Sequence, residues 1–207
     1  MPRKQLEILL QGIEDFVDPK VELEQYPITP KGASTILSII SNTYNDIQGK
    51  IIGDLGCGTG ILAIGAALLG AKRVIGVDID QQQLAIAAQN ARQLKVSNKI
   101  EWVQSNIQNF SKSLEIIIQN PPFGVQKRDR GMDLVFLKTA IKNARIIYSI
   151  HKSGEKNRSF LRDFIQDQNA VIDAIVSLQI LIPHLYNFHR KKRYPIEIDL
   201  FRIISSI

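Results

Sequence analysis

Residues 120–123 combine residue types that are suited to holding a flat amine. They read Asn120-Pro121-Pro122-Phe123. An exocyclic amine on a heteroaromatic ring is a poor nucleophile because its lone pair is delocalised, so two acceptors are needed to hold its N–H groups. The Asn120 side-chain oxygen and the Pro121 carbonyl can accept them, the prolines stiffen the turn, and Phe123 can stack on the ring. The segment therefore favours group transfer to such a nitrogen by positioning and electrostatics, and a plain proline turn is the alternative.

Residues 54–61, D-L-G-C-G-T-G-I, follow a short apolar run and have the composition of a ligand-binding loop. Glycines let a ligand lie against bare peptide groups, and this G-x-G-x-G spacing differs from the G-x-G-x-x-G of dinucleotide-binding folds. A carboxylate before the loop would repel a pyrophosphate but suits the sulfonium and amino groups of S-adenosylmethionine. A structural tight turn is the alternative. The pattern predicts that S-adenosylmethionine is bound by Asp54, Gly56, Gly58, Thr59, Gly60 and Ile61.

Two polar residues follow the next two apolar segments and would complete the cofactor site. Asp78 can accept hydrogen bonds from both ribose hydroxyls, while Asp80 is assigned to capping the following helix. The Asn106 amide oxygen can accept from the adenine amino group, and the next backbone N–H can donate to the ring; a plain turn residue is the alternative. The expected contacts here are Asp78, Ile79, Asn106 and Ile107, with Asn120 facing the methyl group.

Two basic segments indicate contact with nucleic acid. The chain has 26 Lys and Arg against 20 Asp and Glu, a net charge of +6, which favours polyanionic partners. The segment after the proline turn contains Lys127, Arg128 and Arg130, for which phosphate contact and a solvated loop are equally compatible. The segment at 188–194 places cations between aromatics, which suits RNA better than a solvated charge run. Its expected RNA contacts are His189, Arg190, Lys191, Lys192 and Arg193.

The composition narrows the classes of protein to consider. The chain has 207 residues, 44% of them hydrophobic, with one cysteine and three histidines. One cysteine excludes an intramolecular disulfide and a cysteine-rich zinc site, and so few histidines disfavour a metal enzyme. The sequence shows neither an apolar stretch of about 18 residues nor a secretory signal. We therefore expect a soluble cytoplasmic protein with no resident metal and no membrane partner.

Apolar and amphipathic segments alternate from residue 50 onwards and predict the elements that position these residues. Helices are expected over 1–15, 31–44, 61–69, 81–94, 134–144 and 159–168, and strands over 51–55, 73–79, 100–103, 114–118, 146–150, 170–181 and 196–204. This order implies a mostly parallel seven-stranded sheet with helices on both faces and, since no helix separates the last two strands, a terminal antiparallel hairpin. His151 and Lys152, placed just after the fifth strand, are interpreted as a surface pair or a structural contact rather than as catalytic groups.

The layout resembles the Rossmann-like class I S-adenosylmethionine-dependent methyltransferases, and five segments narrow the resemblance. Residues 23–27, 54–60, 120–124, 149–152 and 188–192 together resemble the methyltransferase-like-five group. That group comprises archaeal and eukaryotic N6-adenine methyltransferases of small-subunit ribosomal RNA. The resemblance extends from about residue 20 to 205. It implies a single domain over 1–207 that methylates the N6 of an adenine in RNA.

The resemblance also implies further contacts. Gln25, Tyr26 and Thr29 would lie over the cofactor, so that residues 1–45 form a segment covering this site. Eukaryotic members work with a small zinc-binding activator protein that docks on a sheet edge. In this chain the third strand, which contains Trp102, would be that edge, and an exposed edge strand invites addition of another strand.

Three other functions are compatible with parts of the sequence. A protein glutamine-N5 methyltransferase acting on a translation factor shares the fold and chemistry, but usually has Tyr at the position of Phe123 and a helical substrate domain before the glycine loop. A non-catalytic RNA-binding module could keep the fold, although the intact 120–123 motif argues against it. A DNA adenine methyltransferase is disfavoured because the sequence shows no target-recognition domain, without which sequence-specific recognition of a duplex is difficult.

Overall fold

The computed structural model describes residues 1–14, 28–122, 131–183 and 193–207. Its helices are α1 (Arg3–Leu10), α2 (Pro30–Ser38), α3 (Ile61–Leu68), α4 (Gln81–Gln93), α5 (Met132–Asn143) and α6 (Glu155–Asp167). Its strands are β1 (Ile51–Leu55), β2 (Arg73–Asp78), β3 (Ile100–Gln104), β4 (Leu114–Gln119), β5 (Ala144–Lys152), β6 (Ala170–Pro183) and β7 (Arg193–Ser205). None of the helices in these ranges is long and apolar enough to cross a membrane.

The strands form one seven-stranded sheet in the order β3-β2-β1-β4-β5-β7-β6. Strands β1 to β5 run parallel, while β7 is antiparallel to both β5 and β6. The predicted fold class, with its terminal hairpin, is confirmed. The order of the strands reverses between β1 and β4, and ligands of open α/β sheets bind outside the carboxyl ends of the strands at such a point.

Two apolar layers cover the two faces of the sheet. One contains the fully buried Leu6 and Leu10 of α1 together with residues of α2 and α3, and it packs against the even-numbered residues of β4 and β5. The other contains Leu137 of α5 and Leu161 of α6, and it packs against Ile117 of β4 and Ile147 of β5. Helices therefore lie on both faces, and successive residues at the end of β4 face opposite layers.

Several element boundaries differ from the predicted ones. The β5 strand runs through Lys152, because it pairs with β4 on one side and with β7 on the other as far as Lys152 opposite Ile198. His151 therefore lies inside a strand and is buried, so it is a structural contact and not part of a surface pair. Arg193, which lies between the two strands expected over 170–181 and 196–204, is the first residue of β7.

The β3 strand forms the edge of the sheet, as predicted, but Trp102 is not displayed on it. The indole is half-buried and packs over the neighbouring strand and the glycine loop. A Cβ atom added to Gly60 would lie 2.7 Å from Trp102 Cη2, and one added to Gly76 would lie even closer to the ring. Because Gly60 and Gly76 have no side chains, the Trp102 ring can pack inward against them, where it supports the loop.

Candidate active site

The glycine loop between β1 and α3 has a backbone that only glycine adopts readily. Gly56, Gly58 and Gly60 have φ angles of 69°, 51° and 86°, all in the left-handed region. The loop is tied to β2, because the Gly56 and Cys57 N–H groups both donate to the Val77 carbonyl at 2.8 and 3.0 Å. The structure thus builds the loop predicted from the spacing, and holds it by backbone contacts.

Asp54, the carboxylate before the loop, is buried at the end of β1. Its Oδ2 accepts a hydrogen bond from the Ala63 N–H at 2.9 Å, in the first turn of α3. Burial raises the pKa of this carboxyl to about 7; the Ala63 hydrogen bond opposes the shift and the neighbouring Asp78 adds to it. A cationic ligand beside Asp54 would restore its charged form, which is the property expected for a site that takes a sulfonium or an ammonium.

Asp78, the last residue of β2, holds the glycine loop with its carboxylate. Its Oδ2 accepts from the Gly58 N–H at 2.8 Å and its Oδ1 accepts from the Asp80 N–H at 2.9 Å. Burial raises its pKa, and these two backbone hydrogen bonds limit the shift. Each oxygen keeps a lone pair for a ligand hydroxyl. Asp80 caps α4 by accepting from Gln82 N–H at 3.0 Å, as predicted.

Beyond Asp78, the loops after β2 and β3 provide polar and apolar surface. Asn106 is exposed, and its Oδ1 accepts from the Gln108 N–H at 3.0 Å, capping the short helical turn Ile107–Asn109. The turn role that was the alternative reading is therefore present, and the adenine contact stays a prediction. Ile79 leaves 52% of its surface exposed while Ile107 is buried. An exposed isoleucine beside the carboxylate of Asp78 fits a cofactor that also carries a flat apolar ring.

The proline turn lies directly beside the glycine loop. In the pairing of β1 with β4, Leu55 lies opposite Gln119. The residues that follow these two strands, Gly56 and Asn120, are therefore neighbours. Asn120 and Pro122 are half-buried and Pro121 is buried. The structure therefore brings the two sequence motifs, which are about 60 residues apart in the chain, to one place on the sheet.

Other predicted site residues are placed differently or lie outside the described residues. Thr29 caps α2, with its Oγ1 accepting from the Gly32 N–H at 3.3 Å, so its contact with a cofactor stays a prediction. The residues outside the described ranges are Gln25, Tyr26, Phe123, Lys127, Arg128, Arg130, His189, Arg190, Lys191 and Lys192.

Two residues that support the loop, Asn90 and Phe136, were not predicted from the sequence. Asn90 of α4 is fully buried, and its Nδ2 donates both to the Thr59 carbonyl and to the Glu14 carbonyl at 3.1 Å. Its Oδ1 accepts from the Glu14 N–H at 2.9 Å. A Cβ on Gly56 would lie 2.8 Å from Phe136 Cε1, so Phe136 packs against the loop much as Trp102 does. An asparagine in the middle of an alanine-rich helix was the available signal for Asn90.

Charged residues also lie at the amino-terminal ends of the parallel strands, but there they pair with one another. A cavity of about 550 Å³ lies there and is lined by Lys50, Glu115 and Arg202 among others. Lys50 pairs with Glu115 at 3.2 Å, and Arg202 pairs with the buried Asp46 at 2.9 Å. We therefore place the functional site at the carboxyl ends of the strands, where the buried Asp54 and Asp78 form no salt bridge within the described residues.

Comparison with known proteins extends beyond the cofactor region. A family model described as ribosomal protein L11 methyltransferase (PrmA) matches residues 32–121. The rRNA N(6)-adenosine-methyltransferase METTL5 of Danio rerio is 39% identical over 211 residues and 100% of both chains, and Mettl5 of Drosophila melanogaster is 34% identical over 96% of this chain and 94% of its own. The chain belongs to the METTL5 family. The crystal structure of an RNA methyltransferase candidate from Pyrococcus horikoshii has a TM-score of 0.90 and 35% identity, over 100% of this chain and 99% of that one.

The matches differ in how much of the chain they cover. The part shared with the L11 methyltransferase family is shorter than the part shared with the METTL5 relatives. The L11 methyltransferase model ends at the proline turn, so it covers the glycine loop and the strands around it. The METTL5 relatives extend over the remaining strands as well. A METTL5-family chain is a methyltransferase whose cofactor is S-adenosylmethionine, and the buried Asp54 and Asp78 fit that cofactor's cationic groups and ribose. Within the described residues, no group of His, Cys, Asp and Glu side chains could hold a metal ion.

Proposed function

We propose that this protein methylates the N6 amine of an adenine in RNA, and that the RNA is small-subunit ribosomal RNA. The observation that carries the proposal is the pairing of Leu55 with Gln119, which sets the proline turn beside the glycine loop. The names of the full-length METTL5 relatives, as rRNA N(6)-adenosine methyltransferases, support adenine in ribosomal RNA as the target. The net charge of +6 suits an RNA substrate.

The residues divide the work between holding the cofactor and holding the amine. Asp54, Asp78 and the glycine-loop backbone would bind S-adenosylmethionine, which supplies an electrophilic methyl group when bound. Asn120 Oδ1 and the Pro121 carbonyl would accept from the two N–H groups of the target amine, and Phe123 would stack on the base. Acceptors fixed in this way favour a lone pair that points at the methyl group and stabilise the positive charge that develops on the nitrogen.

The N-terminal residues are proposed to cover the cofactor. Asn90 supports this, because it hydrogen-bonds both to Glu14, at the end of the described N-terminal part, and to Thr59 in the glycine loop. A chain that leaves Glu14 starts next to the cofactor loop, so Gln25 and Tyr26 can reach over it, and residues 1–45 would act as a cover within a single domain. Thr29 would do so from the start of α2.

We propose that the two basic segments contact the RNA. The first, with Lys127, Arg128 and Arg130, follows the proline turn, and the second precedes and enters β7. Replacing the four cations at 190–193 by Gln should weaken RNA binding and flatten its dependence on salt, because fewer counterions are released. The measurement is the affinity for rRNA at several salt concentrations. A salt slope equal to that of the original chain would make the segment a solvated charge run.

A small zinc-binding activator protein is proposed to dock along β3, and the complex is proposed to act in the cytoplasm. The support is the position of β3 at the sheet edge, where one row of backbone groups faces away from β2. Trp102 packs inward, so such a partner would be held by backbone pairing rather than by the indole. Co-purification from a cell extract tests this, and recovery of only a monodisperse monomer would contradict it.

The experiment that tests the function is methyl transfer from labelled S-adenosylmethionine to purified small-subunit rRNA, followed by digestion to nucleosides and mass spectrometry. N6-methyladenosine at one site, absent with the Asn120→Ala variant, is the expected result. Label on a translation factor or a ribosomal protein, and none on RNA, would instead support the protein methyltransferase that the PrmA match keeps open.

A further inference from the structure

The proline turn has few backbone groups with which to anchor itself. Pro121 and Pro122 have no N–H, so Asn120 provides the last backbone donor before residue 123. The pairing of β4 with both neighbours ends one residue earlier, at Gln119, which lies opposite Leu55 of β1 and Ser149 of β5. The acceptors that hold the target amine therefore project from the sheet just beyond its last paired residue.

Three polar side chains lie beneath this end of β4, in the layer that also contains Phe201 of β7. Gln119 and Ser149 are fully buried and His151 is 2% exposed. The Gln119 Nε2 donates to the Ser149 Oγ at 3.0 Å, and the Ser149 Oγ lies 2.7 Å from the His151 Nε2. Burying polar groups costs free energy unless their hydrogen bonds are made, so a chain of three in a core requires an explanation.

The three side chains are hydrogen-bonded in a row whichever nitrogen of the His151 ring carries the proton. Burial lowers the pKa of His151 to about 4, with the carboxylate of Asp199 opposing the shift, so the ring is neutral at ordinary pH. The Ser149 hydroxyl donates to the ring in the tautomer that accepts at Nε2 and accepts from it in the other, so the contact is made in both. The His151 ring is fixed in turn by edge-on contact with Phe201, with ring centroids 5.5 Å apart. Each member therefore orients the next toward β4.

One end of the Gln119 amide makes the hydrogen bond to Ser149. Its Oε1 is buried and has no hydrogen-bond partner among the described residues. The bond to Ser149 is therefore the side-chain contact that fixes this amide within the described residues.

We propose that Gln119, Ser149 and His151 are positioning residues for methyl transfer, because their hydrogen-bonded chain fixes the end of β4 and with it the acceptors of Asn120 and Pro121. The proposal rests on the function proposed above, in which those two acceptors hold the target amine. None of the three residues contacts the reacting atoms. They act through the backbone of the turn, and a shift of about 1 Å in such a group can lower a rate by about 100-fold.

The test compares Ser149→Ala with Ser205→Ala in the full chain. Ser205 is a buried serine of β7 whose Oγ donates to the Ile141 carbonyl at 2.9 Å, in the same apolar layer but at the opposite edge of the sheet. Ser149→Ala should lower the single-turnover rate about 10- to 100-fold, with the dissociation constant of S-adenosylmethionine unchanged. Ser205→Ala should keep the rate at a similar thermal stability. Ser149→Thr, which keeps the hydroxyl, should recover most of the rate.

Hydrogen exchange gives a second readout that does not depend on activity. Since prolines carry no amide hydrogen, a peptide over residues 114–122 reports on the end of β4 through Gln119 and Asn120. These amides should exchange faster in Ser149→Ala than in Ser205→Ala. If Ser149→Ala does not fold, Gln119→Met replaces it, because methionine has a similar volume and no hydrogen bonds.

The outcomes separate this proposal from the function on which it rests. Equal rates and equal exchange in the two serine variants would overturn the positioning role, even if the original chain methylates RNA. Absence of RNA methylation by the original chain would overturn the proposed function. Faster exchange at the end of β4 would still support the chain as the anchor of the turn in that case.

Discussion

The proposed site has a cofactor side, formed by the ends of β1 and β2, and an amine side, formed by the ends of β4 and β5. The two sides differ in the charge of their side chains. On β1 and β2 the functional side chains are carboxylates, Asp54 and Asp78, each held by backbone N–H groups. On β4 and β5 the corresponding positions carry neutral amide, hydroxyl and imidazole groups, and they hold one another. A ligand that is already cationic is bound by charge, whereas a neutral amine that becomes positive only during the reaction needs fixed dipoles.

The two sides also differ in what sets their geometry. Three glycines with positive φ define the cofactor loop, so its shape is encoded in the backbone. The proline turn projects beyond the last strand pair, so its direction depends on side chains beneath it. Changes on the cofactor side should therefore alter affinity, and changes on the amine side should alter rate.

The largest expected effect is on the amine side, with Asn120→Ala. Removal of the side-chain acceptor should lower the single-turnover rate of methyl transfer by about 1000-fold or abolish it, because one fixed polar group of this kind is worth that much. The affinity for S-adenosylmethionine, measured by calorimetry, should stay within about threefold, a change of under 1 kcal/mol. Asn98→Ala, at an exposed asparagine near the start of β3, is the control. Turnover by Asn120→Ala equal to that of the control would remove Asn120 from the site.

The next effect is on the cofactor side, with Asp78→Ala. The variant loses both the proposed ribose acceptor and the hydrogen bond to Gly58, so the affinity for S-adenosylmethionine should fall about 10- to 100-fold. At saturating cofactor the rate should recover most of its value, which distinguishes this variant from Asn120→Ala. Asp78→Asn keeps one acceptor, so its affinity for S-adenosylmethionine should lie between those of the original chain and Asp78→Ala. An unchanged affinity by calorimetry would exclude Asp78 from the cofactor site.

A third effect concerns the charge of Asp54. Because its carboxyl has a pKa of about 7 in the unliganded chain, a cationic ligand must bind to the ionised form. Affinity for S-adenosylmethionine should therefore fall as the pH drops below 7, approaching about tenfold for each pH unit. Calorimetry between pH 7 and 5.5 measures this dependence, and Asp54→Asn should flatten it. A dependence of the same steepness in Asp54→Asn would assign the proton to another group.

The same contrast explains how far the sequence alone predicts the molecule. The glycine loop, Asp54, Asp78 and the Asp80 cap are encoded within a few residues of one another, and alternation of elements predicts the sheet and its hairpin. The chain of Gln119, Ser149 and His151 depends on the register of two strands that are about 30 residues apart, and no local pattern encodes that register. The inward packing of Trp102 likewise depends on Gly60 and Gly76, which lie in other elements.

The smallest expected effect is on the pH dependence of the free energy of unfolding, to which His151 and Asp54 contribute with opposite signs. The pKa of His151 falls from 6.5 to about 4 on folding, so the unfolded chain binds a proton first and stability is lost as the pH drops from 6.5 toward 4. Asp54 behaves in the opposite way: its pKa rises from 3.8 to about 7, the folded chain binds the proton first, and stability is gained over nearly the same range. At about 1.4 kcal/mol per pH unit, the contribution is at most about 3.5 kcal/mol for His151 and about 4.5 kcal/mol for Asp54.

These two contributions should largely offset each other in the original chain and be exposed by substitution. Urea unfolding at pH 7 and pH 5 should show a steeper acid loss for Asp54→Asn and a shallower one for His151→Gln, each relative to its own stability at pH 7. Comparing slopes removes the constant cost of the hydrogen bonds that each variant loses. If both variants kept the slope of the original chain, the carboxyl on the cofactor side and the imidazole on the amine side would titrate at their usual values, and the contrast between a charged and a neutral side would fail for the groups that define it.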